Sequence, residues 1–190
     1  MFWVGLSAVA FSEDEEKLPL SPFTRSGALI AEIEKTSRKD LIFYKTNLVK
    51  CLPLKKDKIR YPLQHEMEKC YPNLELEIKE LSPSIVFLLG KQVASFVFDK
   101  LGGKDVVFSE TFRYKGLTVN GVTYVPVHHP SYILVYKRMQ LGKYKKNIQA
   151  FFDKAEIFKK NQAATVKASK TFITRHQTQL SPLPNPTVSL

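Results

Sequence analysis

The sequence is poor in cysteine and has no long apolar run. Its two cysteines, Cys51 and Cys70, with no signal peptide ahead of them, favour a reducing compartment. The apolar stretch Met1–Leu6 is too short for a signal sequence or a spanning helix. We therefore expect a cytoplasmic protein without a membrane segment, and we find no internal repeat.

Acidic residues are also scarce. The chain carries 18 of them against 29 lysines and arginines, for a formal net charge of +11. This excess predicts an anionic partner, a nucleic acid ahead of a membrane surface. Residues 161–190 hold no acidic residue and end in a proline-rich run, so we predict a disordered basic tail there, behind one domain over 1–160.

Strand-like and helix-like stretches alternate along the domain. Predicted strands cover 2–8, 40–49 and 84–89, and two short runs flank Asn120–Gly121 as a hairpin. Predicted helices cover 28–35 behind an N-cap at Ser26, 63–81 with an interruption at Pro72, 92–101, and 135–160. The alternation predicts an α/β fold, a three-layer α/β/α sandwich with a mainly parallel four-stranded sheet.

The carboxyl ends of parallel strands meet at one edge of a sheet, where ligands bind. The residues expected to share that cleft are Gly5–Val9, Thr46–Asn47, Gly90 and His128–His129. Pro130 favours an extended His129 and so holds its imidazole in place. A neutral imidazole can donate a hydrogen bond to a carbonyl that gains charge during a reaction. The alternative is an ordinary strand-to-helix turn in which Ser131 caps the next helix.

Six short motifs follow one another along the domain. They are Val4–Val9, Pro22–Ile30, Thr46–Cys51, Cys70–Leu74, Phe87–Gly90 and His129–Tyr132. In this order they resemble the uracil-DNA glycosylase superfamily, and most of all its bacterial and archaeal iron-sulfur branch. The resemblance covers residues 2–150. It implies an enzyme that flips a nucleotide out of DNA and hydrolyses the bond between base and sugar.

The resemblance also implies roles for single residues. Phe23 would stack on uracil, Asn47 would bind uracil N3–H and O4 through its amide, and Gly5 belongs to the same substrate-binding set. His129 would donate to uracil O2 as the glycosidic bond breaks. The alternatives are a core ring for Phe23 and a turn or cap role for Asn47. His128 should face the other way along its strand and is interpreted as structural.

The first motif departs from the family pattern. Where the iron-sulfur branch has a catalytic glutamate, this chain has Leu6 and Ser7. We predict that Ser7 positions water weakly through its hydroxyl, and we name it as catalytic together with His129. The acidic stretch Glu13–Glu15 could reach the site instead, although such a loop is more often only solvated.

The cysteines depart from the pattern as well. The iron-sulfur branch holds its cluster with about four cysteine ligands, whereas this chain has two. We therefore predict no cluster, no other cofactor and no metal, with Cys51 and Cys70 either buried free thiols or neighbouring remnants of the cluster site. A purified protein with about four irons per chain would contradict this.

Basic residues flank the expected cleft in two groups, Lys45, Lys50, Lys55, Lys56, Lys58 and Arg60, and Lys137, Arg138, Lys143, Lys145 and Lys146. Such charges bind phosphates without reading sequence, although one run alone is typical of a solvated helix face. The resemblance further implies an apolar wedge after His129, with Tyr132, Ile133 and Leu134 as candidates. The predicted DNA-binding set is Ser131, Tyr132, Ile133, Lys137 and Arg138.

Two functions fit these residues. The first is a DNA repair glycosylase, a monomer that removes uracil or a related deaminated base from single- or double-stranded DNA. The second is a catalytically impaired protein on the same fold that binds uracil-containing or damaged nucleic acid. A nucleotide enzyme is a weaker third possibility, because no glycine-rich phosphate loop follows the first strand.

Overall fold

A central sheet with helices on both faces forms the body of the protein. The computed structural model describes residues 1–8, 18–37, 40–56 and 58–153, and Met1–Phe152 forms one compact unit. The strands are β1 (Phe2–Ser7), β2 (Tyr44–Val49), β3 (Leu54–Lys55), β4 (Lys58–Ile59), β5 (Ile85–Leu89), β6 (Leu117–Val119) and β7 (Val122–Val127). The helices are α1 (Arg25–Lys35), α2 (Gln64–Leu81), α3 (Lys91–Lys100), α4 (Pro130–Tyr136) and, after a 3-10 turn at Arg138–Gln140, α5 over 141–153.

The sheet has the order β2-β1-β5-β7-β6, and all of its strand pairs are parallel except β6–β7. The predicted α/β fold with a mainly parallel sheet is confirmed, with five strands instead of four. The added strand is β6, one arm of the predicted hairpin. Asn120 and Gly121 have positive φ angles of 50° and 80° at its turn, which suits the two-residue turns that join twisted strands.

Both faces of the sheet are apolar, as parallel strands require. On one face Val4 and Leu88 pack in a cluster with buried residues of α2 and α3. On the other face Trp3 stacks on Phe87 with ring centroids 4.4 Å apart, and Phe87 contacts Phe152 of α5 edge-on. The alternation of side chains along β1 and β5 therefore builds two cores around one sheet.

Two helix predictions in the first half of the chain need correction. The N-cap of α1 is Thr24 and not Ser26, since the Thr24 hydroxyl accepts a hydrogen bond from Gly27 N at 3.0 Å. Helix α2 runs through Pro72 without interruption. Proline there removes one backbone hydrogen bond, but Tyr71 and Leu74 on either side are buried, and this packing outweighs the local penalty.

The predicted helix over 135–160 also needs correction. Helix α4 ends at Tyr136, Lys137 leaves the helical region with φ −131°, and a 3-10 turn precedes α5. The basic stretch 50–61, which lies between a predicted strand and a predicted helix, contains the small β3–β4 hairpin. Residues 9–17 and the predicted tail 161–190 lie outside the described residues. Of the helices that are described, none is long and apolar enough to cross a bilayer.

Candidate active site

A cavity of about 850 Å³ opens at the carboxyl ends of the parallel strands. Gly5–Ala8 at the end of β1, Asn47 of β2, Gly90 after β5 and His129 after β7 all line it. Thr46 and His128, expected in the same cleft, do not, and Val9 lies outside the described residues. The cavity therefore gathers at least one polar or glycine position from each of the four parallel strands or the residue that follows it.

Gly5 and Asn47 are partners in the register of β1 and β2. A Cβ atom on Gly5 would lie 2.4 Å from Asn47 Oδ1, so the amide occupies space that only glycine leaves free. Asn47 is 7% exposed, and no side-chain hydrogen bond to it occurs within the described residues. Because Asn47 lines the cavity, its amide is available to form hydrogen bonds with a ligand there.

His129 caps α4 and lines the cavity. Its Nδ1 accepts a hydrogen bond from Ser131 N at 3.2 Å and lies 2.8 Å from Ser131 Oγ. Burial lowers the pKa of His129 below its ordinary value of 6.5, so the ring is neutral at neutral pH. An acceptor at Nδ1 fixes the proton on Nε2, which makes that nitrogen the donor.

The end of β1 supplies Leu6 and Ser7 to the cavity wall. Among the described residues that line the cavity there is neither an aspartate nor a glutamate. The acidic stretch Glu13–Glu15 lies outside the described residues. Of the described side chains from this strand end, the Ser7 hydroxyl is the group that can hold a water molecule.

Two lysines line the same cavity. The Lys50 ammonium donates to both carboxylate oxygens of Glu77 at 2.7 Å and to Thr46 Oγ1 at 2.6 Å, so its charge is held in a network. Lys91 begins α3, is exposed and makes no ion pair within the part of the chain that is described. The cavity is therefore suited to a ligand that carries negative charge.

The loop that leads into α1 closes another side of the cavity with Leu18, Pro19 and Leu20. A Cβ on Gly27 would lie 1.9 Å from the carbonyl oxygen of Ser21, so glycine lets α1 pack directly on this loop. Phe23 lies in the same loop but is 76% exposed and is not among the lining residues. The structure does not bring Phe23 together with Asn47 and His129, and its stacking role stays a prediction.

Two tyrosines that the sequence did not single out line the cavity. Tyr61, before α2, is 77% exposed, and Tyr136, at the end of α4, is 72% exposed. The spacing of Tyr132 and Tyr136 puts both on one side of a helix, and this signal could have found Tyr136. Tyr61 stands in a basic loop and carries no comparable pattern.

His128 packs away from the cavity, as side-chain alternation along β7 predicts. Its Nδ1 lies 2.9 Å from Tyr114 Oη, and the rings of Phe108 and Phe112 contact it edge-on. Tyr132 stacks on its other side with centroids 5.4 Å apart and an interplanar angle of 17°. Burial lowers the pKa of His128, which leaves a neutral ring inside an aromatic cluster.

The residues of the predicted DNA-binding set differ in their exposure and contacts. Ser131 and Tyr132 line the cavity, and Arg138 is exposed. Ile133 is fully buried, so the expectation that it contacts DNA needs correction, because a helix must turn its apolar side to the core. Lys137 pairs with Glu110 at 2.8 Å.

Other members of the two predicted basic groups are also paired. Ion pairs join Lys45 to Glu34, Lys50 to Glu77, Arg60 to Glu66 and Lys145 to Glu32. Pairs at a surface are weak and exchange partners readily, so phosphate can replace the carboxylates. Lys55, Lys56 and Lys58 of the β3–β4 segment, and Lys143 and Lys146 of α5, are exposed.

The cysteines do not fit an iron-sulfur cluster. Both are free thiols, with Cys51 exposed and Cys70 half-buried. In the described residues no group of three or more histidine, cysteine, aspartate or glutamate side chains could hold a metal ion. Two thiolates fall short of the about four that a cluster takes, so these two cysteines by themselves cannot hold one.

The sequence matches the model of the uracil DNA glycosylase superfamily over residues 9–156. The chain belongs to this superfamily. It is 35% identical over 107 residues to the type-4 uracil-DNA glycosylase of Saccharolobus solfataricus, with 54% of this chain and 47% of that protein covered. It is 28% identical over 130 residues to the enzyme of the same name from Archaeoglobus fulgidus, with 63% and 61% covered.

A third relative, the type-4 uracil-DNA glycosylase of Sulfurisphaera tokodaii, is 27% identical over 129 residues, which cover 63% of this chain and 54% of that protein. The superfamily resemblance expected from the six motifs is confirmed. The chain spans between about half and three-fifths of the length of these relatives.

Proposed function

We propose that this chain is a DNA repair glycosylase that hydrolyses the N-glycosidic bond of uracil, or of a related deaminated base, in DNA. One observation carries the proposal: the Asn47 amide, which has no side-chain hydrogen bond within the described residues, and the Nδ1-anchored His129 ring line one cavity at the same edge of the sheet. Membership of the superfamily and the names of the relatives point the same way.

Recognition comes first in this mechanism. The target nucleotide leaves the duplex or single strand and its base enters the cavity, which costs a few kcal/mol of stacking and pairing. The Asn47 amide has one donor and one acceptor, which match uracil O4 and N3–H. Cytosine presents an amino group and a bare nitrogen at these positions, so the same amide orientation would leave it mispaired.

His129 then acts on the leaving base. The bond between C1′ of the sugar and N1 of uracil breaks, and its electron pair stays on the base, so negative charge grows on O2. The Nε2–H of a neutral His129 donates to that oxygen without transferring its proton. Such a fixed donor in a desolvated site stabilises the transition state more than the bound substrate.

Water completes the hydrolysis at C1′. Its oxygen forms the new bond to the sugar, and its proton passes to solvent or to the departing base. Ser7 orients this water through its hydroxyl. A hydroxyl is a much weaker base than a carboxylate, so stabilisation of the leaving base supplies most of the rate enhancement.

The alternative function is a binding protein for uracil-containing or damaged nucleic acid. Leu6 and Ser7, together with the absence of a carboxylate among the described lining residues, favour it. In that case Asn47 and His129 would hold the base without cleavage.

Incubation of the protein with uracil, hypoxanthine and thymine-mismatch oligonucleotides, followed by alkaline cleavage at abasic sites, tests both readings. Cleavage of the uracil strand supports the glycosylase. Tighter binding of uracil DNA than thymine DNA without cleavage supports the binding protein, and neither cleavage nor preference contradicts both.

A further inference from the structure

A ladder of aromatic rings leads from the core to the mouth of the cavity. His128 is its inner end, fixed by the Tyr114 hydroxyl at 2.9 Å. Tyr132 stacks on His128, and Tyr136 follows with a ring centroid 5.4 Å from that of Tyr132. The ladder thus has a half-buried, hydrogen-bonded inner ring and an outer ring at the surface.

The outer ring of this ladder, that of Tyr136, is a large aromatic side chain that is exposed to solvent. Tyr136 is 72% exposed although it lines the cavity, and its neighbour Val135 is exposed there too. Tyr61 supplies a second exposed ring to the lining from another part of the chain. Large exposed rings gathered around one cavity mark a binding surface for something flat and partly apolar.

The positive charges near these rings indicate what kind of ligand the surface binds. Lys91 lines the same cavity, and Arg138 is exposed two residues after Tyr136. Aromatic faces set among cations are the combination that binds an unstacked nucleic acid strand, with bases on the rings and phosphates on the cations. A duplex offers its phosphates to such a surface but keeps its base faces covered.

We propose that Tyr136 is a stacking platform for an unpaired base of a DNA strand bound at the cavity, and that it favours single-stranded DNA. The proposal rests on the proposed function only in assuming a DNA partner, since it requires neither uracil nor bond cleavage. Tyr132 acts as a positioning residue, because it holds the Tyr136 ring against the His128 cluster.

Binding of an oligothymidine strand, free or annealed to oligodeoxyadenosine, tests this inference by fluorescence anisotropy across a salt titration. Tyr136→Ala should weaken single-strand affinity by about tenfold, the order expected for one lost base–ring stack. Duplex affinity and the salt slope should not change, since no phosphate contact is removed. Tyr136→Phe should bind like the wild type.

Met139→Ala is the matched control, because Met139 is 99% exposed on the same segment and does not line the cavity. Wild-type affinity of Tyr136→Ala for the single strand would overturn the proposal, and so would an equal loss on single strand and duplex. Because oligothymidine contains no uracil, the result can be read even if the protein excises nothing. Failure of excision would then count against the proposed function alone.

Discussion

Gly5 and Asn47 lie opposite each other in the β1–β2 pair, and the amide of one uses the space left by the missing side chain of the other. The positions of Asn47 and His129 at strand ends could be predicted, because the alternation of strands and helices places those ends at one edge. The contact between Gly5 and Asn47 could not be predicted, because the register between two strands that are distant in sequence depends on how both pack in the sheet. Nor could the exposure of Phe23, which depends on how its loop packs on α1.

Gly5→Ala should disable base recognition while leaving the fold intact. The new methyl group would meet Asn47 Oδ1 and turn the amide away from the cavity. We expect the rate of uracil excision, or the preference for uracil DNA if nothing is cleaved, to fall about tenfold or more, the cost of a misplaced hydrogen bond. Gly142→Ala is the control, because a Cβ there meets no atom within 4 Å. Equal losses in both variants would contradict the role of Gly5.

His129→Ala should cut single-turnover excision by about two orders of magnitude, as removal of one preorganised donor does elsewhere. Duplex binding should change little, because phosphate contacts dominate affinity. His128→Ala should instead lower the melting temperature, since it opens a gap among Tyr114, Phe108 and Tyr132. Equal excision rates for wild type and His129→Ala would remove His129 from the mechanism.

The protonation state of His129 determines how the rate of excision should depend on pH. Burial lowers the pKa of His129 below 6.5, so the neutral form persists as pH falls to that value. Protonation at lower pH puts a hydrogen on Nδ1, which can then no longer accept from Ser131 N. The midpoint of the decline in the wild-type rate should therefore lie below pH 6.5, whereas a midpoint above 6.5 would contradict this state of the ring.

Among the elements, α2 and the hairpin before it are joined by one carboxylate. Glu66 accepts from Arg60 at 2.7 Å and from the backbone N–H of Leu63 at 2.8 Å. Arg60 also donates to the carbonyl oxygen of Tyr61. This arrangement caps α2 and fixes the backbone at Tyr61, which lines the cavity.

Glu66→Gln should change the acid stability of the protein. The Arg60 guanidinium lowers the pKa of Glu66 from 4.5 to about 2. The ionised carboxylate therefore contributes stability that is fully present above pH 4.5 and is lost as pH falls through about 2. Melting temperatures of Glu66→Gln should be lower at neutral pH and vary less over this range. Glu68→Gln, which removes only an exposed contact to Gln64, is the control and should leave the profile unchanged.

Local sequence signals predicted some elements well and others badly. Asn120–Gly121 predicted the β6–β7 hairpin because both residues adopt the positive φ angles that its turn needs. Pro72 predicted a break in α2 that does not occur, because burial of the residues beside it is a tertiary effect. The end of α4 at Tyr136 was missed as well, since nothing in the basic run after it breaks a helical pattern.

At the scale of the whole molecule, the total of 29 lysines and arginines overstates the number of cations that are free to bind phosphate. Lys45, Lys50, Arg60, Lys137 and Lys145 each pair with a glutamate. If the chain binds DNA as proposed, the phosphates would have to displace these carboxylates before such cations gain a phosphate contact. The cations without a described acidic partner should therefore dominate binding.

Neutralisation of Arg138 and Lys146 to glutamine should weaken binding to all DNA sequences alike and flatten the salt slope by about one unit per lost phosphate contact. The same change at the paired Lys137 and Lys145 should flatten it less. The measurement is the logarithm of affinity against the logarithm of salt concentration. An unchanged slope in the Arg138 and Lys146 variant would move the phosphate contacts to another surface.

Trp3 is the only tryptophan in the chain, and it is fully buried in β1 between Phe43 and Phe87. Its indole N–H has no hydrogen-bond partner among the described residues. An indole in so dry a setting emits at short wavelength, and exposure to water shifts that emission to the red. Trp3 stands two residues before Gly5 in β1. The emission wavelength of this one tryptophan therefore reports whether the strand that carries Gly5 is packed in the sheet.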